Sequence, residues 1–222
     1  MNKLFIYLKT IFIHKYWVFR YCLKCGMPIR GLLHDMSKLG PSELIPNLKY
    51  IEPGKSPVNV AKEKDGYSKA WMHHKSHNPH HHVYWMDRFD EGCYVTRMPF
   101  KYMVECLCDY LGANRAYSPK SDKPYHSELE WWKKEREITV MHPDNIYFLD
   151  RILVWLDACE NKSDYLGKID SKELAAMNEK YILNKKTLRY FYRDILANSK
   201  YPIQVKISNI PRRSLEEDFE RN

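Results

Sequence analysis

The sequence lacks a segment that would carry it across a membrane. An apolar run occupies residues 1–19, but Lys9, His14 and Lys15 interrupt it, and no small-residue cleavage site follows. The run is also too short and too charged to span a bilayer. These absences predict a cytoplasmic protein with no membrane partner.

The sequence also lacks the cysteine pattern of a zinc finger. Cys22 and Cys25 have the spacing of a metal-binding pair, but no second Cys or His pair with matching spacing follows. Because no export signal precedes the six cysteines, we expect free thiols in a reducing compartment. No internal repeat is present, which excludes a repeat architecture.

What is present is enough apolar material for a core and an excess of positive charge. The chain has 222 residues, of which 44% are hydrophobic and 14% aromatic, enough for one sizeable domain or a domain with an appendage. Lysine and arginine number 36 against 28 acidic residues, for a net charge of +8. This excess favours an anionic partner such as a nucleotide, a nucleic acid or an acidic surface.

Apolar residues recur at helical spacing along most of the chain, which predicts an all-α fold. The predicted helices cover residues 3–24, 28–38, 42–48, 99–116, 127–137, 144–160 and 171–198. Residues 51–66 have prolines, glycines and no period and predict a loop, and residues 203–207 predict a short strand. We expect a helical metal-binding domain over residues 1–164 and a mostly helical extension with a charged tail over residues 165–222.

A His-Asp dipeptide, His34–Asp35, follows two leucines in the second predicted helix. Adjacent helical residues point about 100° apart. The two side chains can therefore share one ion only if it lies between them and other segments complete its ligands. Lys38 lies four residues after His34 and would hold an anion beside such an ion.

Six of the ten histidines fall within residues 73–82. A solvated polar loop that binds metal adventitiously is one interpretation. Trp71 and Trp85, at the two ends of the segment, instead favour a segment anchored in the core.

Asn78 and Pro79 predict a break between two helices within this histidine-rich segment. His74 then lies at the end of the first helix, and His80 or His81 at the start of the second. The choice between His80 and His81 is open.

Two further polar residues occur on apolar helix faces, His14 in the first helix and Asp109 in the helix that follows Pro99. Taken alone, each is explained by the core: a hydrogen-bonded histidine, or an aspartate paired with a cation. A metal ion is another partner that would stabilise a buried aspartate. For Asp150 and Asp157 we expect a solvated face.

The order of these residues resembles the ligand order of the HD-domain superfamily: a histidine, the His-Asp pair, up to two more histidines and a distant aspartate. The likeness is closest to an uncharacterised HD-like family of bacteria and phages, and it covers about residues 10–160. The segments that carry it are HDMSK (34–38), residues 71–85, MP (98–99), ECLCD (105–109) and EWW (130–132).

The resemblance implies a helical core around one or two divalent ions. By this likeness the primary ion is held by His14, His34, Asp35 and Asp109. In two-metal members, two more histidines hold a second ion. The matching residues here are His74 with His80 or His81. Lys38 matches a lysine that contacts substrate phosphate. The short spacing from His74 to His80 or His81 departs from most two-metal members and leaves the second ion open.

The chemistry of this ligand set predicts a metal-dependent phosphohydrolase. Nitrogen and carboxylate ligands suit Mn, Fe, Co, Ni or Zn ions. Asp35 would ligate the ion and orient the nucleophile, and Glu105 or a spare histidine would shuttle protons. Lys38, Arg97 and Arg115 would hold a small anionic substrate, a nucleotide or another phosphate ester.

Two alternatives use the same residues differently. One is an HD-type di-iron oxygenase, because four histidines and two aspartates also suit a pair of irons. The other is a non-catalytic protein whose metal is structural and whose basic surface binds nucleic acid. The sequence leaves the oligomeric state open.

Overall fold

Prolines begin five of the helices that the structure describes. The structure is a computed structural model, and it describes residues 2–52, 54–118, 120–161, 182–211 and 215. Proline is favoured in the first helical turn because it has no N–H group that needs a partner there. The helices are α1 (Lys3–Lys24), α2 (Pro28–Leu33), α3 (Pro41–Lys49), α4 (Pro57–Asp65), α5 (Lys69–His77), α6 (Phe100–Tyr117), α7 (Pro124–Ile138), α8 (Pro143–Asn161) and α9 (Lys185–Asn198).

A small antiparallel sheet accompanies the helices. Its strands are β1 (Met86–Phe89), β2 (Gly92–Thr96) and β3 (Gln204–Lys206), in the order β1-β2-β3. Both neighbouring pairs are antiparallel, with Met86 opposite Val95 and Val95 opposite Val205. The described protein is therefore predominantly helical, as predicted, and the predicted strand near residue 204 is confirmed. The hairpin of β1 and β2 is not predicted by the sequence analysis.

The main core lies among α1, α6, α7, α8 and α9, each of which contributes an apolar face. Trp132 of α7 and Phe148 of α8 are among its largest fully buried side chains. Asn184 caps α9 by accepting a hydrogen bond from the Thr187 N–H. The described part of the C-terminal segment thus packs into the same core as the N-terminal helices. The predicted boundary at residue 164 and the predicted helical residues 171–181 lie outside the described residues.

Three segments differ from the sequence predictions. The second helix ends at Leu33 instead of Lys38, because Asp35 takes a left-handed backbone conformation (φ 53°) and a 3-10 turn follows over Met36–Leu39. The predicted loop at 51–66 contains α4, whose buried residues Val60 and Ala61 are too few to produce a helical period.

The third difference follows Pro79. No second α-helix begins there; the chain forms a 3-10 turn over His82–Trp85 and then enters β1. The Trp85 indole N–H donates to the carbonyl of Pro79 at 2.7 Å and ties this turn together. The aromatic and β-branched residues that follow His82 favour the path through this turn into β1 over a continuing helix.

Close packing of α1 on α6 brings two polar residues together. A Cβ atom at Gly112 would lie only 2.4 Å from a methyl carbon of Val18, so only glycine permits this approach. His14 lies one turn before Val18, and Asp109 one turn before Gly112. The crossing therefore places the His14 imidazole against the Asp109 carboxylate, 3.1 Å apart.

Among the described residues, no helix is both long and apolar enough to cross a membrane. In the part of the chain that the structure describes, none of the six cysteines forms a disulfide bond.

Candidate metal centre

Four parts of the chain converge on one buried cluster of imidazoles and carboxylates. They are α1, the break after α2, the end of α5 with the turn that follows it, and the middle of α6. The seven side chains that they contribute are His14, His34, Asp35, His74, His80, His81 and Asp109. Every one of them is a metal ligand predicted from the sequence.

One half of the cluster is built around the Oδ2 atom of Asp35. The Nε2 atoms of His14 and His34 lie 3.4 and 3.3 Å from it. The Oδ1 atom of Asp109 faces the same two nitrogens at 3.1 and 3.3 Å. Two nitrogens and two carboxylate oxygens thus converge on a common point.

The other half is built around the second oxygen of the same carboxylate. Asp35 Oδ1 lies 3.3 Å from His74 Nε2 and 3.4 Å from His80 Nε2. His81 joins this half, because ligand atoms of all four residues lie within 4.8 Å of one another. Both His80 and His81 therefore face the cluster, and Asp35 is shared between its halves.

Most of the atoms that face the centre of the cluster have no hydrogen-bond partner. Asp35 Oδ1 and the Nε2 atoms of His14, His34, His74, His80 and His81 are buried without one, and the neighbour of Asp35 Oδ2 is the Lys38 ammonium. Burying one such group without a partner costs about 1 to 3 kcal/mol. Ligand atoms bonded at about 2.0–2.2 Å to one ion lie about 3.0–3.5 Å apart, which matches the separations in both halves. The donor set therefore fits a bound metal ion.

The backbone at Asp35 explains how two adjacent residues serve one cluster. A continuing helix would point His34 and Asp35 about 100° apart. His34 is instead extended, with φ −53° and ψ 133°, and Asp35 is left-handed. A positive φ is uncommon outside glycine, and aspartate is among the residues that tolerate it. This local strain lets one carboxylate face the neighbouring His34 and imidazoles from two other segments.

Carboxylates behind the cluster fix the orientation of its imidazoles. Glu105 Oε1 lies 3.1 Å from Nδ1 of His34 and 3.5 Å from Nδ1 of His80. Its other oxygen accepts from Arg30 at 2.6 Å. When Nδ1–H donates to a carboxylate, the lone pair of Nε2 is left for a ligand bond. Glu105 thus positions two imidazoles at once.

Glu43 orients the imidazole of His74 in the same way, and no sequence pattern indicates this role. Its Oε2 atom lies 2.8 Å from His74 Nδ1, and its Oε1 atom lies 3.0 Å from Nδ1 of His73. Glu43 is on α3, which packs against α5, and it is only 1% exposed. Glutamate is common in the first turn of a helix because the helix dipole stabilises a negative charge there. The position of Glu43 in the sequence therefore does not reveal this role.

The charges in the cluster are strongly coupled. Burial alone would raise the pKa of Asp35, but His34, Lys38 and His74 outweigh burial and hold the pKa well below its usual range. Burial alone would lower the pKa of His34, and the Asp35 and Asp109 carboxylates raise it well above its usual range. The carboxylates therefore stay ionised and attract positive charge, whether from a proton or from a metal ion.

His80 is held neutral in this environment. Burial, followed by the positive charge at His34, lowers the pKa of His80 to about 4. Burial and the neighbouring His80 likewise lower the pKa of His81 well below its usual range. Neutral imidazole is the form that binds metal ions.

Lys38 lies between this cluster and solvent. Its Nζ atom is 2.5 Å from Asp35 Oδ2, and its side chain is 28% exposed. The Tyr7 hydroxyl donates to the Lys38 carbonyl at 3.2 Å and holds the 3-10 turn on α1. Lys15 donates to the carbonyl of His34. Lys38 is therefore the cation that an anion would meet at the centre.

Two residues predicted to bind substrate, Arg97 and Arg115, have other partners within the fold, and their substrate role stays a prediction. Arg97 forms an ion pair with Asp144 at 2.6 Å and donates to the Tyr201 carbonyl, so it is neutralised within the fold. The Arg115 guanidinium lies over the Trp17 ring, 5.2 Å from its centroid. Neither contacts a ligand of the cluster.

The prediction that Asp150 and Asp157 lie on a solvated face is wrong. They are 0% and 2% exposed. Asp150 accepts hydrogen bonds from Trp132 and Arg136, and Asp157 accepts one from His126 at 2.8 Å. Helical spacing on α8 does not reveal them because its buried surface extends around most of the helix.

Comparison with known proteins places these residues in a family. The model of a family of unknown function, DUF5662, matches residues 4–154. The matched range includes all seven side chains of the cluster, together with Lys38, Glu43 and Glu105. No curated protein and no solved structure is significantly similar to the chain.

Proposed function

We propose a function from the site itself, because the chain belongs to a family of unknown function, DUF5662, whose description states no activity. The proposed function is that of a metal-dependent phosphohydrolase. It uses water to hydrolyse a nucleotide or another small phosphate ester.

The observation that supports it most is the environment of Asp35. Both of its oxygens are buried and face imidazole nitrogens, and the Lys38 ammonium lies 2.5 Å from Oδ2. Imidazole and carboxylate donors suit Mn, Fe, Co, Ni or Zn ions. His14, His34 and Asp109 with Asp35 would hold one ion, and His74, His80 and His81 with Asp35 a second.

The residues divide the work of hydrolysis among them. A bound divalent ion lowers the pKa of water and neutralises negative charge on a phosphoryl oxygen. Lys38 binds a second phosphate oxygen through its ammonium group and orients the ester. Asp35 holds the attacking water in line through a carboxylate oxygen. Glu105, on Nδ1 of His34 and His80, keeps both Nε2 atoms turned toward the centre.

We also assign the chain to the HD-domain type of helical bundle. The basis is the ligand order, in which the break after α2 supplies the His-Asp pair and α6 the distant aspartate. The convergence of all seven predicted ligands supports this assignment. The sheet and α9 are then additions to that bundle.

Phosphate release tests the proposal directly. The full chain, loaded separately with Mn, Fe, Co, Ni and Zn ions, is assayed against bis-p-nitrophenyl phosphate, p-nitrophenyl phosphate and a nucleotide panel. We expect turnover with at least one ion and its loss in Asp35→Asn, whereas the exposed control Asp90→Asn keeps full activity. Metal-loaded protein that hydrolyses none of these esters contradicts the proposal.

Lys38→Met separates phosphate binding from metal binding. We expect KM for the ester to rise while the metal content changes little, because the ammonium contacts Asp35 but is not itself a ligand. The exposed control Lys69→Met leaves KM unchanged. An unchanged KM in Lys38→Met would remove this lysine from the substrate site.

A di-iron oxygenase is the second candidate, and the sharing of Asp35 between two halves favours it. The hydrolysis assay, together with iron analysis and an absorbance measurement, decides between the candidates. Two irons per chain with an absorbance change on exposure to O₂, and no ester hydrolysis, would favour the oxygenase over the hydrolase.

A further inference from the structure

The outer face of α1 carries large apolar side chains that the rest of the protein leaves uncovered. Phe5, Phe12, Tyr16 and Leu23 are between 53% and 59% exposed. At 100° per residue these positions fall within about 40° of one another around the axis, and at 1.5 Å per residue they extend about 27 Å along it. They form one straight stripe on the side of α1 that points away from His14.

Helix α2 extends this apolar surface. It packs beside the stripe so closely that a Cβ atom at Gly31 would lie 2.6 Å from the Cβ of Cys22. On its side opposite Gly31, Ile29, Leu32 and Leu33 are between 62% and 73% exposed. We call the seven exposed side chains of the two helices the α1–α2 face. An uncovered apolar area of this extent marks an interaction surface.

The α1–α2 face is rich in positive charge. Residues 1–34, which carry it, contain six lysines and arginines and no aspartate or glutamate. Lys9 and Arg20 are exposed beside the stripe, and neither forms an ion pair with any residue that the structure describes. The Arg20 guanidinium also donates to the Tyr16 hydroxyl, at the edge of the stripe.

We propose that the α1–α2 face binds the surface of an anionic lipid bilayer. The two helices lie along the membrane, their apolar side chains enter the boundary between headgroups and acyl chains, and the cations meet lipid phosphates and carboxylates. Spanning is not required. This proposal departs from the prediction of no membrane partner, which rests only on the inability of the chain to span a bilayer.

Charge and shape favour a bilayer over other occupants. A second copy of this chain would bring cations against cations, with no carboxylate on either face to pair them. An acidic protein would need a surface shaped to two adjoining convex helix flanks. A bilayer is both anionic and deformable, so it accepts a convex apolar surface without a matching groove.

The metal centre is unaffected by occupation of this face. His14 lies on the opposite side of α1, and His34 and Asp35 follow the end of α2 with their side chains buried. Substitutions on the α1–α2 face therefore leave the metal content unchanged. This separation allows membrane binding to be tested without disturbing the proposed hydrolase site.

Vesicle flotation of the full chain tests the proposal. Vesicles of phosphatidylcholine alone are compared with vesicles that also contain phosphatidylserine. The variants are Phe12→Ser with Leu32→Ser, Lys9→Glu with Arg20→Glu, and the control Ile138→Ser, whose side chain is 75% exposed on α7. Circular dichroism verifies that each variant is folded.

Wild type and Ile138→Ser are expected to float with the anionic vesicles only, and less so at high salt. Each double variant is expected to lose about tenfold or more of this binding. Phe12→Ser with Leu32→Ser removes apolar side chains that enter the bilayer. Lys9→Glu with Arg20→Glu reverses two charges, and each charge near the surface contributes about 1 kcal/mol. Absence of flotation in wild type overturns the proposal, as does flotation that both double variants retain. Self-association abolished by Phe12→Ser with Leu32→Ser, or retention on polyglutamate without flotation, would assign the face to a second copy or to an acidic protein instead.

Discussion

Asp35 and Asp150 are both buried aspartates, and their neighbours satisfy them in opposite ways. Asp150 Oδ1 accepts from the Trp132 indole at 2.7 Å and from Arg136 at 3.0 Å, and Oδ2 pairs with Arg136 at 3.0 Å. Asp35 has the Lys38 ammonium 2.5 Å from Oδ2, and its Oδ1 atom faces imidazole nitrogens without a hydrogen bond. The difference separates a carboxylate that completes a fold from one in a group of side chains that could hold a metal ion.

The same contrast extends to the residues around them. The donors at Asp150, Trp132 and Arg136, both come from α7, one helix that packs along α8, so two neighbouring elements satisfy the charge. The imidazoles at Asp35 come from three separate parts of the chain. Such a convergence of donors from several segments could hold a metal ion.

The largest effect is expected from Asp35→Asn. The variant should lose metal and more than about 100-fold of the phosphate-ester turnover, because loss of a residue that only orients a ligand already costs 10 to 100-fold. Its free energy of unfolding without metal should also fall, because the low pKa of Asp35 means that the ionised carboxylate stabilises the folded protein. Metal analysis, turnover and urea unfolding measure the three quantities. Full metal retention would end the contrast with Asp150.

Asp150→Ala should lower stability without loss of metal. Removing this carboxylate breaks its buried ion pair with Arg136, which costs about 3 to 5 kcal/mol of the free energy of unfolding. Metal content per folded chain should be unchanged. Urea unfolding and metal analysis test both statements, with Asp90→Ala as the exposed control. Lost metal in a folded Asp150→Ala variant would show that the two regions are coupled.

Glu43→Gln sharpens the contrast within the site itself. The substitution keeps the shape of the side chain but weakens the charge-assisted hydrogen bond to His74 Nδ1. We expect metal affinity to fall about 10 to 100-fold with the fold intact. Metal titration measures it, with the exposed Glu63→Gln as the control. If Glu43→Gln and Glu63→Gln bound metal with equal affinity, Glu43 would contribute to packing only.

Glu128 is a third kind of buried carboxylate. Burial raises its pKa to about 8 from 4.5, and its Oε1 atom has no hydrogen-bond partner. The folded protein therefore binds this proton more tightly than the unfolded chain. Its contribution to stability is complete below pH 4.5 and is lost as the pH rises through about 8.

Glu128→Gln should remove this loss and raise the free energy of unfolding near pH 8 by about 1 to 3 kcal/mol. Urea unfolding between pH 5 and 8, in steps of about one pH unit, measures how the free energy of unfolding changes with pH. The exposed Glu137→Gln serves as the control on the same helix. A slope identical to that of wild type would show that Glu128 is already paired.

The sequence contains most of the site but little of what supports it. His14, His34 and Asp109 are found because HD-like ligand order is a sequence property, and the helices that carry them have clear periods. The left-handed backbone at Asp35 is not encoded by any local signal stronger than the residue type. Glu43 and Asp150 depend on contacts between helices that are distant in sequence, so only the packed fold reveals their roles.

Fold prediction fails where segments are short. Helix α4 has too few buried positions to show a period, and the β1–β2 hairpin follows histidines that suggested a helix. The long helices α1, α6 and α8 are predicted to within about two residues at most ends, as expected when burial repeats over several turns.

Metal analysis of the purified full chain beside His34→Ala and Asp109→Ala tests the central claim most directly. The account predicts one or two divalent transition-metal ions per wild-type chain and a clear loss in each variant, with both variants still folded. Wild-type protein that binds no ion when offered Mn, Fe, Co, Ni and Zn, or variants that retain full occupancy, would contradict it.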